Sequence, residues 1–227
     1  MIPARPTRWA QCLFYPYLGW LMRTHLRRLA LCPPLPSMPE DLAWFWIANH
    51  NTWWDGFCLA MLNRRLFRRP LYLLMLEEQL RRFWFFRLLG AYGVRRHDGG
   101  DARRVLRYTA ELLAQRPPPV VIWFPQGELV PYGSPIRFAS GIELLLRMLR
   151  TPVWLQIVGM YPLLWAHMRP EFFVRFGPGW LIEPGSAAPT KAELEVALQH
   201  TLDALAQGVR SGMELRTVLE GRRSPHE

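Results

Sequence analysis

The residues most able to do chemistry are a histidine and a carboxylate five positions apart, His50 and Asp55. Histidine is the side chain best suited to accept a proton near neutral pH. A carboxylate bonded to one ring nitrogen fixes the tautomer and leaves the other nitrogen as a base. Assistance of this kind contributes roughly 10²–10⁴-fold to a rate. Five positions along a continuous helix amount to about 500° of rotation, which aligns the pair poorly. A junction between a strand and a helix can turn them together. Taken alone, the pair more often marks a partly buried histidine with an incidental aspartate.

Other chemistries find little support. Cys12, Cys32 and Cys58 lie far apart with no CxxC pair, which argues against a disulfide framework or a zinc site and for reduced thiols in a cytoplasmic setting. His25, His97, His167 and His200 have no ligand spacing, so no metal is expected. The chain contains no H-E-x-x-H, G-x-S-x-G or P-loop pattern. Ser134 and Ser140 read as turn or helix-start residues.

Positioning His50 and Asp55 falls to the run 43–48, Ala-Trp-Phe-Trp-Ile-Ala, whose unbroken apolar character predicts a buried strand. Thr52 is placed to cap a helix running to Leu62. Further strands are expected at 71–75, 120–124, 153–158 and 171–176, the last ended by Gly177-Pro-Gly. Helical spacing covers 77–89, 101–115, 141–149 and 190–205, and one or two helices are expected over 9–31, broken near Pro16. The alternation predicts an α/β domain at 40–210. Before it lies a helical segment and proline-rich linker at 1–39; after it comes a polar tail at 211–227, expected to fray beyond Arg216.

Four blocks then occur in order: Asn49-His50-x4-Asp55-Gly56, Gly90-x5-Arg96, Phe124-Pro125-Gln126-Gly127 and Phe138-x2-Gly141. Together they resemble the glycerolipid acyltransferase family, which includes lysophosphatidic-acid acyltransferase, over about residues 40–180. The resemblance implies a mixed sheet between helices, with an N-terminal segment laid on a membrane. It also implies that His50 is the general base on an acceptor hydroxyl and that Asp55 orients it. Arg96, or Arg95 beside it, would hold an acceptor phosphate, and a backbone N–H at Gly127 would face the oxyanion. The donor would be acyl-CoA or acyl-carrier protein and the acceptor a lysolipid, with no cofactor.

The chain departs from the family's Phe-Pro-Glu-Gly-Thr-Arg pattern at Gln126, Glu128 and Leu129. Losing that arginine removes a planar phosphate ligand. Either Arg95, Arg96 or Arg137 binds the phosphate, or the acceptor lacks one, as a lyso-ornithine lipid or glycosylated isoprenoid would. In the last block, Leu155 falls where the family often has a second proline.

Composition frames these readings. The 227 residues are 50% hydrophobic, enough for one sizeable domain, and carry a net charge of +10 with Lys191 as the only lysine. Such charge suits nucleic acid, anionic lipid or an anionic substrate. No nucleic-acid motif is present, so a basic nucleic-acid-binding module or a non-catalytic scaffold ranks behind the enzyme. The 13-residue apolar stretch 9–21 is shorter than the ~20 needed to span a bilayer. With Arg23, His25, Arg27 and Arg28 behind it, it suits equally an interfacial segment on the cytoplasmic face of the cell membrane and an ordinary helix packed on the domain. Arg64, Arg65, Arg81, Arg82 and Arg87, interleaved with Phe67, Phe83 and Trp84, read as a membrane-contacting surface or a solvated helix face. The stretch 71–89 reads first as ordinary core and second as apolar walls for an acyl chain.

Overall fold

Every residue of Ala43–Ala48 (β2) is buried, which requires a strand covered on both faces. The computed structural model describes residues 1–95 and 98–222. In it β2 lies in an eight-stranded mixed sheet, joined by Arg28–Cys32 (β1), Leu71–Leu76 (β3), Ala91–Val94 (β4) and Val120–Trp123 (β5). Val153–Leu163 (β6), Glu171–Ile182 (β7) and Arg216–Glu220 (β8) complete it, in the order β4-β3-β5-β2-β6-β7-β1-β8. β2 runs parallel to β5 and β6; the β6–β7 and β1–β8 pairs are antiparallel.

Alternation along β2 sends Trp44 and Trp46 to one face and Phe45 and Ile47 to the other. On the first face pack Arg8–His25 (α1) and Asp55–Leu62 (α2), through Leu18, Met22, Cys58 and Leu59. On the second pack Gly99–Leu113 (α4), Ile142–Met148 (α5) and Lys191–Arg210 (α6), through Leu112, Leu145 and Leu198. Glu77–Arg82 (α3) is continued by a 3₁₀ turn, Trp84–Leu89, rather than by the single helix expected over 77–89. α6 opens on a capping box between Thr190 and Glu193.

Three expectations are corrected. The leading helix stops at His25, runs unbroken through Pro16, and is followed by β1, whose residues Leu29–Cys32 are buried between β7 and β8. Burial of Val218 and Leu219 against the same core holds the segment expected to fray beyond Arg216 as β8. The sheet therefore crosses both positions, 39/40 and 210/211, at which composition suggested boundaries.

The third concerns Gly177-Pro-Gly179, which does not end β7. A Cβ on Gly177 would lie 2.1 Å from the Thr201 hydroxyl of α6, and one on Gly179 would lie 2.6 Å from the Trp154 ring. Gly177 permits close approach of α6 to the strand and Gly179 leaves room for the Trp154 ring of β6; neither makes a turn. Buried Gln156, beside the register shift in β6, donates to the Gly177 carbonyl at 2.7 Å. Gly177→Ala is expected to cost about 1–3 kcal/mol by overpacking, measured as a lower urea midpoint at unchanged slope.

Candidate active site

At the C-terminal end of β2 the chain is clamped before it turns. Asn49 is fully buried; its amide donates to the Met160 carbonyl at 2.8 Å and its carbonyl accepts from Met160 N–H at 2.8 Å. It also donates to the Asn51 side chain. This fixes the exit direction, and His50 follows immediately.

α2 then begins at Asp55, whose carboxylate is completely buried. Its Oδ2 accepts from the backbone N–H of Asn51 at 2.7 Å and of Thr52 at 2.9 Å, and its Oδ1 accepts from the Thr52 hydroxyl at 2.6 Å. His50 Nδ1 lies 3.0 Å from the same Oδ2. An oxygen that already accepts from two N–H groups presents only acceptor character, so Nδ1 carries the proton and Nε2 is left as the basic nitrogen. The junction thus brings together the two side chains that a continuous helix would hold apart. Thr52 does not cap α2 as expected: Trp54 takes the cap position, and the Thr52 hydroxyl serves Asp55 and accepts from Trp54 N–H at 3.2 Å.

The turn after β5 supports His50 from the other side. The Phe124 ring stacks on the imidazole, centroids 4.2 Å apart and planes 14° from parallel. Gln126 Oε1 accepts the His50 backbone N–H at 2.8 Å, and Val130 N–H donates to the His50 carbonyl at 3.0 Å. Gln126 therefore holds the histidine segment, a task that needs an acceptor oxygen but no charge. Pro125 is buried and its carbonyl accepts from Ala139. Gly127, at φ +75°, donates its N–H to the Phe124 carbonyl at 3.0 Å. That N–H closes the turn, so the expected oxyanion donor is already engaged.

The arginines fare differently. Arg95 is half-exposed; its Nε donates to Glu77 at 3.3 Å, and it lies 3.7 Å from Asp98. Two carboxylates therefore offset the charge expected for a phosphate. Arg137 is exposed and absent from the cavity wall. Arg96 lies outside the described residues, as does His97. Glu77 itself is held down to about 2, mainly by hydrogen bonds from Arg81 and the Met1 amino group, against the upward push of burial, with Arg95 adding to the effect. A depressed carboxylate stabilises the fold above its ordinary value of 4.5 and stops doing so as pH falls through its folded value. The stability gap between wild type and Glu77→Gln should thus be full above pH 4.5 and close toward about pH 2, as urea titrations across that range would register.

His50 faces a cavity of about 410 Å³ whose walls are mostly apolar. The stretch 71–89 supplies Leu73, Leu74, Leu76 and Phe86, as its composition suggested. Phe14 and Tyr15 of α1, and Phe57 and Ala60 of α2, form a further part of the wall. Those four were not anticipated; in the sequence they are legible only as apolar residues of two expected helices. Phe124, Gly127, Glu128 and Leu129 lie at the histidine end. No described helix is long and apolar enough to cross a membrane.

A family model for acyltransferases matches residues 37–155, a span containing the whole His50–Asp55 junction and the turn after β5. Among solved structures, the crystal structure of the 1-acyl-sn-glycerophosphate (LPA) acyltransferase PlsC from Thermotoga maritima has a similar fold, with a TM-score of 0.52. The alignment is 16% identical and covers 90% of this chain and 78% of that one. No curated protein sequence matches.

Proposed function

This chain belongs to the acyltransferase family, and from that premise we propose that it moves a fatty acyl group from a thioester onto a hydroxyl of a lysolipid, with His50 as general base. The observation that carries the proposal is a tautomer-fixed imidazole opening onto an apolar cavity. Nε2 takes the proton from the acceptor hydroxyl as its oxygen attacks the thioester carbonyl. The tetrahedral intermediate collapses, the carbon–sulfur bond breaks, and the imidazolium returns the proton to the departing thiolate. Asp55 stabilises the transient imidazolium. Acyl-CoA or acyl-carrier protein fits as donor, and no cofactor takes part.

The cavity volume falls within the ~300–1,000 Å³ usual for ligand sites, and its walls suit an acyl chain. Ala60→Phe adds a ring to that wall. It should shift donor preference toward shorter chains by about tenfold, the transfer energy of about two methylenes, in an assay across donor chain lengths. Unchanged preference would place the chain elsewhere.

The test of the function itself is incorporation of labelled acyl groups from a thioester into a panel of lysolipids by the purified protein. Release of free fatty acid with no acylated product would sink it. A second reading is favoured by one observation: Glu128 and Leu129 line the cavity beside His50, where a phosphate would meet a carboxylate and a hydrocarbon. On that reading the acceptor is a phosphate-free lysolipid, such as a lyso-ornithine lipid. Faster turnover with lysophosphatidic acid would exclude it.

The exposed face of α1 supports work at a lipid surface. Trp9, Leu13, Tyr17 and Trp20 are all more than half exposed and recur at helical spacing along one stripe. The protein then sits on the cytoplasmic face of the membrane as a peripheral or monotopic protein.

A further inference from the structure

The turn joining β6 to β7 holds a second group of exposed apolar residues: Leu164 at 64%, Trp165 at 74% and Met168 at 76% exposure. Solvated tips of this kind are ordinarily polar, and three large apolar side chains at one tip mark an interaction surface. Direction along the sheet places it. β6 runs parallel to β2, pairing Ala48 with Val158, and then continues five residues further to Leu163. The tip therefore projects beyond the sheet edge at which His50 stands.

The C-terminal end of α1 reaches the same place. Arg27 N–H, two residues after the helix, donates to the Pro170 carbonyl at 2.9 Å. The other end of α1 is tied near the 3₁₀ turn, where Thr7 N–H donates to the Leu88 carbonyl and Trp84 is 66% exposed. The exposed stripe of α1 thus runs from Trp84 toward the β6–β7 tip.

Charge decides what the tip meets. Arg169 donates to the Arg222 carbonyl at 2.7 Å, and Arg222 N–H to the Arg23 carbonyl at 2.8 Å, drawing three arginines together behind it. Trp165 also walls a cleft of about 270 Å³ with Arg27 and Arg28, which pair with Glu220 and Glu171. Five arginines face two glutamates around one apolar finger. That combination suits an anionic bilayer, with aromatic and aliphatic groups below the headgroups and guanidinium groups on the phosphates.

We propose that the β6–β7 tip is a membrane-inserting finger that, together with α1, seats the His50 edge of the sheet on an anionic bilayer. This rests on the reading of the protein as an enzyme of bilayer lipids. It adds that docking is two-pointed, so that the cavity faces the leaflet supplying the acceptor.

The test labels the full-length protein at the tip. In a Cys12→Ser background, where Cys32 and Cys58 are buried, Trp165→Cys carries an environment-sensitive fluorophore. Ala192→Cys, exposed at the start of α6 and at the opposite edge of the sheet, carries it as control. Vesicles of phosphatidylcholine with phosphatidylglycerol should brighten the tip label but not the control, and acyl-chain-brominated lipid should quench it. Replacing Leu164, Trp165 and Met168 together by serine should weaken vesicle partitioning about tenfold or more at unchanged melting temperature.

A label that stays dark while the protein sediments with vesicles overturns the finger, as does a protein that ignores anionic vesicles altogether. Self-association that the serine variant abolishes, with vesicle binding intact, would assign the tip to a second copy of the chain instead. None of these readouts needs turnover. An inactive protein that still inserts leaves the finger standing, and an active one with a dark label removes the finger alone.

Discussion

His50→Ala should lower the rate of acyl transfer by about a thousandfold or more while leaving the fold nearly as stable as before. The two halves of this expectation come from different atoms. The backbone of residue 50 is held through its N–H to Gln126 and its carbonyl from Val130, and both bonds survive in alanine. Removing the ring costs the stack on Phe124, worth about 0.5–1.5 kcal/mol, and leaves Asp55 with its three remaining donors. The ring is, however, what can take a proton at the mouth of the cavity in this arrangement. Without it the hydroxyl must attack un-ionised or lose its proton to water. Saturating kinetics with a soluble short-chain acceptor would separate kcat from binding, since the imidazole acts on the transition state rather than on the apolar chain. Turnover within a few-fold of wild type would sink the assignment of the base.

How much of this was legible in the sequence depends on whether a residue's partner lies nearby along the chain. β2 and β5 announce themselves because strands buried on both faces are apolar at every position, and no distant information is needed to see that. His50 and Asp55 are legible for the same local reason: five residues at a strand-to-helix junction close the pair. β1 is different. Arg28-Leu-Ala-Leu-Cys32 is as apolar as the helix before it, and only pairing with β7, some 140 residues later in the sequence, makes it a strand. Gly177-Pro-Gly179 carries turn composition, yet its glycines answer to Thr201 and Trp154, which local pattern cannot reveal. The same holds for charge. Arg95 is a basic residue in sequence and a paired one in space, because β3 delivers Glu77 next to it. Gly127 shows the limit most sharply: the residue type suits an oxyanion turn, but its N–H points back at Phe124.

Asp55→Asn should separate orientation from charge. In the native arrangement Oδ2 collects three donors, and Oδ1 takes the Thr52 hydroxyl. An asparagine can keep its carbonyl oxygen at the Oδ2 position and place its amide where Oδ1 was; the Thr52 hydroxyl then rotates and accepts instead of donating. Every hydrogen bond is thereby remade, so the loss of stability should stay near 1–3 kcal/mol. What disappears is the negative charge opposite the imidazolium that forms when His50 takes the proton. The rate should fall about 10³–10⁴-fold, nearly as far as with His50→Ala, and the double variant should be little worse than either single one, because the two act as a unit. Asp55→Ala is the less informative change. It strands two backbone N–H groups, a hydroxyl and the His50 Nδ1–H around a fully buried position, costing about 3–5 kcal/mol, and lost activity would then report a damaged fold. Urea melts and kcat measured on the asparagine variant therefore decide the matter. Near-native stability with near-native turnover would show that His50 needs no carboxylate behind it, and the pairing at 3.0 Å would be structural alone.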